Sequence, residues 1–238
     1  VELFFDDTEI EVKGHQFEGA RINYEGNRSL SWQDLWYGPW LLDGILDGAG
    51  DVSEHLPELV EAHRARWQER PNYLYADSGS SAGKYLNRIA HSGFTRWSVS
   101  YNKWTDKLDR LAGELPASQW SPPPAPAQPQ EQYAWLKHQP GECAQAQQFA
   151  TVRWKQEGDL MWRLAYVVCQ AGEKQTPQGV FERHRLKGAK EQGFSEVLSG
   201  LDLHHPPCSD LLANQAFYAI AMLAYNLLVS LKVLDLPD

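Results

Sequence analysis

The stretch Phe4-Phe5-Asp6-Asp7-Thr8-Glu9-Ile10 decides how this chain is read. Leu3, Phe5, Ile10 and Val12 alternate with polar residues, the period-two pattern of a half-buried strand. Carboxylates inside such a strand are costly to bury unless they are paired or bound to metal. A second acid, Asp77, ends the apolar run Tyr73-Leu74-Tyr75-Ala76, at the kind of strand end where α/β sheets place their chemistry. A third, Glu191, falls in a segment read as helical over 180–201. Acids from three parts of a chain can converge only through the fold, and their simplest joint use is to hold divalent metal. Mg²⁺ and Mn²⁺ prefer carboxylate oxygens, and a pair of such ions can clamp the attacking and leaving oxygens of a phosphodiester.

Working outward, residues 29–37 and 40–46 read as strands joined by the turn signal Gly38-Pro39. A helix follows Ser53, with Leu56, Leu59, Val60, His63 and Trp67 on its apolar face. Residues 72–76 form a short strand, 80–92 a helix bearing Tyr85, Leu86 and Ile89, and 95–101 a strand with Trp97, Val99 and Tyr101 alternating. This order predicts an α/β mixed sheet flanked by helices. Residues 116–140 carry half of the 14 prolines and read as a loop. A β-hairpin is expected around Glu157-Gly158-Asp159, as a small β insertion before two long helices at 180–201 and 210–234. The expected organisation is therefore 1–115 as the first part of the core, 116–178 as a Pro-rich loop and hairpin insertion, and 179–238 as helices completing the core.

At 238 residues and 42% hydrophobic, the chain can bury a substantial core. It has no run of 18 apolar residues, so no membrane partner is expected. Cys143, Cys169 and Cys208 are far apart, which argues against a zinc ribbon and suits a reducing cytoplasm. The net charge of −9 opposes general nucleic-acid binding, because phosphate affinity comes mostly from Lys and Arg. A metal site would account for part of that excess. A basic DNA-binding segment upstream of Val1 would offset it, and a chain opening on Val1 in a strand-like run reads as a fragment or processed product.

Several motifs carry competing readings. Glu191, Lys187 and His184 share one helix face, where an i,i+4 salt bridge serves as well as a catalytic role. Gly79-Ser80-Ser81-Ala82-Gly83 matches the G-x-S-x-G elbow of serine hydrolases, with Ser81 as nucleophile and Asp202 and His204 as partners. The same residues also suit a helix start built on small side chains. Trp32, Trp36, Trp40 and Trp97 fall on expected strands, where core packing competes with carbohydrate or DNA-base stacking. His204-His205-Pro206-Pro207 reads as a turn between helices.

Asp6-Asp7-Thr8 resembles the D-x-T that opens the catalytic core of DDE transposases from bacterial cut-and-paste insertion sequences. Tyr75-Ala76-Asp77-Ser78 resembles their second-acid segment, and the stretch from His184 to Gln192 resembles the Y-x2-R-x3-E-x6-K signature around the third acid. The tail from Ala213 to Leu228 is similar to the helix that follows in this group, most of all in its thirteen-eighty branch. The resemblance covers nearly the whole chain. It implies an RNase H-like fold and two Mg²⁺ (or Mn²⁺) ions held by Asp6, Asp77 and Glu191. It implies nicking and strand transfer of double-stranded DNA, at transposon ends and target, and it leaves room for a homodimer on DNA. His184 and Lys187 then stand at phosphate-contacting positions where the family has Tyr and Arg, and Leu198 stands where it has Lys. A catalytically decayed copy that binds DNA or partners without cutting is the alternative within this reading.

Overall fold

The computed structural model describes the chain except residues 24, 49, 65–72, 123–129, 189–195 and 236–238. It divides into two compact units, Val1–Pro71 with Gly188–Asp238, and Asn72–Lys187. Each is a mixed α/β structure of strands and flanking helices.

The first unit is built on β3 (Arg28–Tyr37). It pairs antiparallel with β1 (Glu2–Glu11), from Phe4↔Trp36 to Glu11↔Ser29, and with β4 (Trp40–Gly48). The short β2 (Arg21–Ile22) also joins β3. The β3–β4 turn falls at Gly38-Pro39 as expected, and Gly38 takes φ 55°, a left-handed conformation that glycine adopts without steric cost. Strict alternation fails in β3, which is buried from Ser29 to Trp36. The reason is that both faces are covered, as in sheets sandwiched between helices. On one face lies α1 (Leu56–Arg64), burying Leu56, Leu59 and Val60; the expected contribution of Trp67 lies outside the described residues. On the other lies the C-terminal helix Leu211–Asp235, whose Tyr218 and Tyr225 meet Trp32 and Trp36 edge-on at 5.4 and 5.6 Å. Asn226 of that helix fixes β4 by exchanging hydrogen bonds with the Leu41 backbone, at 3.0 and 2.7 Å.

The C-terminal helix is long and apolar. Within Leu211–Leu234 an 18-residue stretch has a mean hydropathy of 1.7, enough by length and composition alone to cross a membrane. The criterion of an uninterrupted apolar run misses it because Asn214, Gln215, Asn226 and Ser230 break the run. In the structure three of those side chains bond outside the helix: Asn214 binds Cys208, Gln215 binds the Leu46 carbonyl and Asn226 binds Leu41, while Ser230 donates to the Asn226 carbonyl within it.

The second unit places β5 (Tyr73–Ala76) parallel to β6 (Arg96–Tyr101), with α2 (Gly83–His91) as the crossover. Its sheet order is β5-β6-β9-β8-β7, where β7 is Glu131–His138, β8 Gln147–Trp154 and β9 Arg163–Gln170. Helix α4 (Pro177–Arg185) packs Val180 and Phe181 on Tyr133, Val152, Val167 and Cys169. Thr176 caps α4, its Oγ1 accepting from the Gly179 N–H at 3.1 Å.

Three readings change here. The 116–140 loop contains β7, whose own residues include no proline; the prolines flank it, and average composition hid the strand. The hairpin exists, but it is no separate insertion, because β9 pairs with β6 from Trp97↔Gln170 to Tyr101↔Tyr166 and so continues the sheet. The helix read over 180–201 is interrupted: α4 ends at Arg185, Leu186 and Lys187 form a turn, and helix returns at Gly188 and over 196–200. Helix α3 (Asp106–Glu114), where the sequence reading assigns no element, buries only Leu108 and Ala112, too narrow a stripe to stand out.

Candidate functional site

Asp77 leaves the carboxyl end of β5, a strand whose four residues are all buried. Its backbone stays extended (φ −83°, ψ 174°), and its carbonyl accepts the Ser80 N–H at 3.0 Å to start the 3-10 turn Ser78–Ser81. The side chain is 53% exposed. Lys187 faces it, with Nζ 3.4 Å from Asp77 Oδ1. The lysine itself is buried, held by its backbone N–H on the His184 carbonyl at 3.0 Å. A buried ammonium needs a counter-charge, and Asp77 supplies it.

His184 is buried beneath this pair. Its Nδ1 lies 2.9 Å from Ser98 Oγ and its Nε2 2.8 Å from Ser100 Oγ. Burial, reinforced by the charge of Lys187 and opposed by that of Asp77, pushes its pKa down to about 4. The ring is therefore neutral at pH 7 and ties α4 to β6. A cleft of about 700 Å³ opens beside it, lined by Tyr101, Asp109, Glu131, Trp154, Trp162 and Arg185. Arg153 lies between the rings of Trp120 and Trp162, 4.2 and 4.5 Å from their centroids.

Ser81 does not have the geometry of a nucleophile elbow. It is 1% exposed, and its hydroxyl donates to the Ser78 carbonyl at 2.6 Å, closing the 3-10 turn. Nor does it cap α2, whose N-cap is Ala82. In the other unit Asp202 pairs with His205, at 2.8 Å.

Asp6 lies in the middle of β1, half-buried, directly opposite Asp34 in the β1–β3 ladder. Both belong to the face that carries Trp32 and Trp36 and is covered by the C-terminal helix. Asp34 is fully buried, and burial, with the nearby charge of Asp6, pushes its pKa well above the carboxylate range. The Trp36 indole N–H donates to its Oδ1 at 2.8 Å. Asp7 points to the opposite face, where it accepts from the Ser31 hydroxyl and, at 3.3 Å, from the Gln33 amide. Burial outweighs those hydrogen bonds and raises its pKa to about 6. Gln33 also donates to the Asp51 carbonyl and accepts the His55 N–H, which fixes the entry to α1.

Sequence reasoning missed Asp34. The available signal was an acid in the interior of Leu30-Ser31-Trp32-Gln33-Asp34-Leu35-Trp36, a position as costly to bury as Asp6.

Glu191 lies outside the described residues. Among the described residues no group of three or more His, Cys, Asp or Glu is placed to hold a metal ion. Carboxylate oxygens are the donors a hard cation prefers, and Asp34 Oδ2 is buried without a hydrogen-bond partner among the described residues.

The model of one protein family, the transposase DDE domain group 1, matches residues 41–238. That span contains Asp77, Lys187 and Glu191 and begins after Asp6. No curated protein gives a significant match to the chain. With more than half of its length matched, the chain belongs to the transposase DDE domain family, group 1.

Proposed function

We propose that the chain is the catalytic core of a DDE transposase from a bacterial cut-and-paste insertion sequence of the thirteen-eighty branch. It would act in the cytoplasm on double-stranded DNA through an RNase H-like fold. Asp6, Asp77 and Glu191 would hold two Mg²⁺ or Mn²⁺ ions. When bound, such ions activate the attacking oxygen and stabilise the leaving oxygen of a phosphodiester. The observation that carries this reading is the placement of Asp77, an acid at the open end of a fully buried strand inside the matched span. Lys187 faces its carboxylate, with Nζ 3.4 Å from Oδ1. The lysine also stands where an incoming phosphate would meet positive charge. His184 keeps Lys187 in position from below rather than offering a free nitrogen, since both ring nitrogens face serine hydroxyls.

The test is DNA nicking on a duplex carrying the element's ends. With Mg²⁺ or Mn²⁺ wild type nicks, and EDTA stops it. Asp77→Asn abolishes nicking while DNA binding persists, because the amide carries no charge to hold an ion. Ser81→Ala leaves nicking intact. A wild-type chain that binds the ends without nicking under any divalent ion would establish the decayed-copy alternative instead. Activity that survives EDTA and dies with Ser81→Ala would overturn the reading altogether.

A further inference from the structure

Asp34 stands directly opposite Asp6 in the antiparallel β1–β3 ladder. Residues so paired share a face, with Cβ atoms about 4.5–5.5 Å apart, and like charges there repel. One oxygen of Asp34 accepts the Trp36 indole N–H at 2.8 Å. The other, Oδ2, is fully buried with no hydrogen-bond partner among the described residues. No Lys, Arg or His among the described residues forms an ion pair with it. On its other side the β4 partner is Gly44, which brings no side chain, and a Cβ there would stand 2.5 Å from Trp32 Nε1. A buried carboxylate oxygen that accepts nothing is destabilising, and a neighbouring carboxylate adds to that cost. A cation shared with Asp6 removes both penalties: its charge cancels the repulsion, and its coordination fills the orphan oxygen.

We infer that Asp34 is a ligand, together with Asp6, of a divalent cation bound in the first unit. This rests on the reading of Asp6 as a metal ligand and adds Asp34 beside it on the same face of the β1–β3 ladder. Asp34 holds one oxygen to Trp36 and offers the other to the ion, so the tryptophan fixes the carboxylate's rotation, as outer-shell donors do at metal sites.

The experiment is Mn²⁺ binding to the whole chain, followed by calorimetry and by the loss of the free-ion electron paramagnetic resonance signal. Thermal unfolding is measured with and without MnCl₂. Asp34→Asn keeps the size of the side chain and the acceptor for Trp36 while removing the charge. Binding is expected to weaken by about tenfold or more, with loss of the Mn²⁺-induced rise in Tm and an unchanged near-ultraviolet tryptophan signal in the absence of metal. Asp6→Asn should behave alike. If Asp34→Asn fails to fold, Asp34→Thr, which also keeps an oxygen for Trp36, is read in the same way. Affinity within twofold of wild type in the Asp34 variant, alongside loss in Asp6→Asn, overturns this inference and leaves the proposed function standing. Unchanged affinity in both variants overturns the metal role of Asp6 as well.

Discussion

The two units handle buried charge in opposite ways. In the second, the acid Asp77 is half-exposed and faces a buried lysine, so the protein supplies the balancing charge. In the first, Asp34 is fully buried and among the described residues has only an indole N–H as donor, and Asp7 accepts from neutral hydroxyl and amide groups. Asp77 is an acid open to solvent with a lysine beside it. Asp34 is an acid that needs a proton or an outside cation. Within one chain, a carboxylate's neighbours decide whether it serves as a partner for lysine or is pushed by burial toward its protonated form.

The pH dependence of stability gives the largest expected effect on this contrast. Asp7 has a folded pKa of about 6, above its ordinary value of 3.8. The folded state therefore holds that proton longer, and stability present below pH 3.8 is lost as pH rises through 6. His184 has a folded pKa of about 4, below its ordinary 6.5. Its contribution is full above pH 6.5 and is lost as pH falls toward 4. At about 1.4 kcal/mol per pKa unit, each is worth roughly 3 kcal/mol, and the two oppose each other over the same window. Urea unfolding of wild type from pH 4 to 7 should show shallow dependence from this pair. Asp7→Asn should expose the His184 slope, with stability falling on acidification, and His184→Gln should expose the opposite slope. Identical slopes in all three proteins would mean that the burial of one or both groups is misassigned.

A smaller effect is expected from removing either partner of the Asp77–Lys187 pair in the absence of metal. Asp77→Asn leaves a buried ammonium without its counter-charge and should cost about 1–3 kcal/mol. Lys187→Met leaves a half-exposed carboxylate that water can solvate and should cost less, about 0.2–1 kcal/mol. Chemical denaturation of both variants measures the asymmetry. Equal costs would show that Lys187 is not sequestered.

The smallest effect is on DNA. If Lys187 contacts a phosphate, Lys187→Met should weaken binding evenly across sequences and lower the slope of log affinity against log salt by about one. An unchanged slope would confine Lys187 to its pairing with Asp77.

Much of the fold is legible in the chain. Strands β1, β3, β4, β5 and β6 lie where period-two patterns and the Gly38-Pro39 turn put them, because half-buried strands and tight turns write themselves locally. Strand β7 is hidden inside a proline-rich window, and α3 buries too few residues to show a stripe. Alternation along β3 disappears because helices cover both of its faces, which no residue within the strand reports. At the site, Asp77 is visible as an acid closing an apolar run. The burial of Lys187 is not visible, because spacing alone places it on a solvated helix face and the helix in fact ends at Arg185.

What the sequence determined by itself is the set of local patterns: the acids in and after apolar strands, the turns, the long apolar C-terminal helix, and through them a family resemblance. The tertiary structure decided which acids are neighbours. Asp6 and Asp34 are 28 positions apart in the chain, and only the β1–β3 register sets them face to face; a shift of one residue would turn either to the opposite face of the sheet.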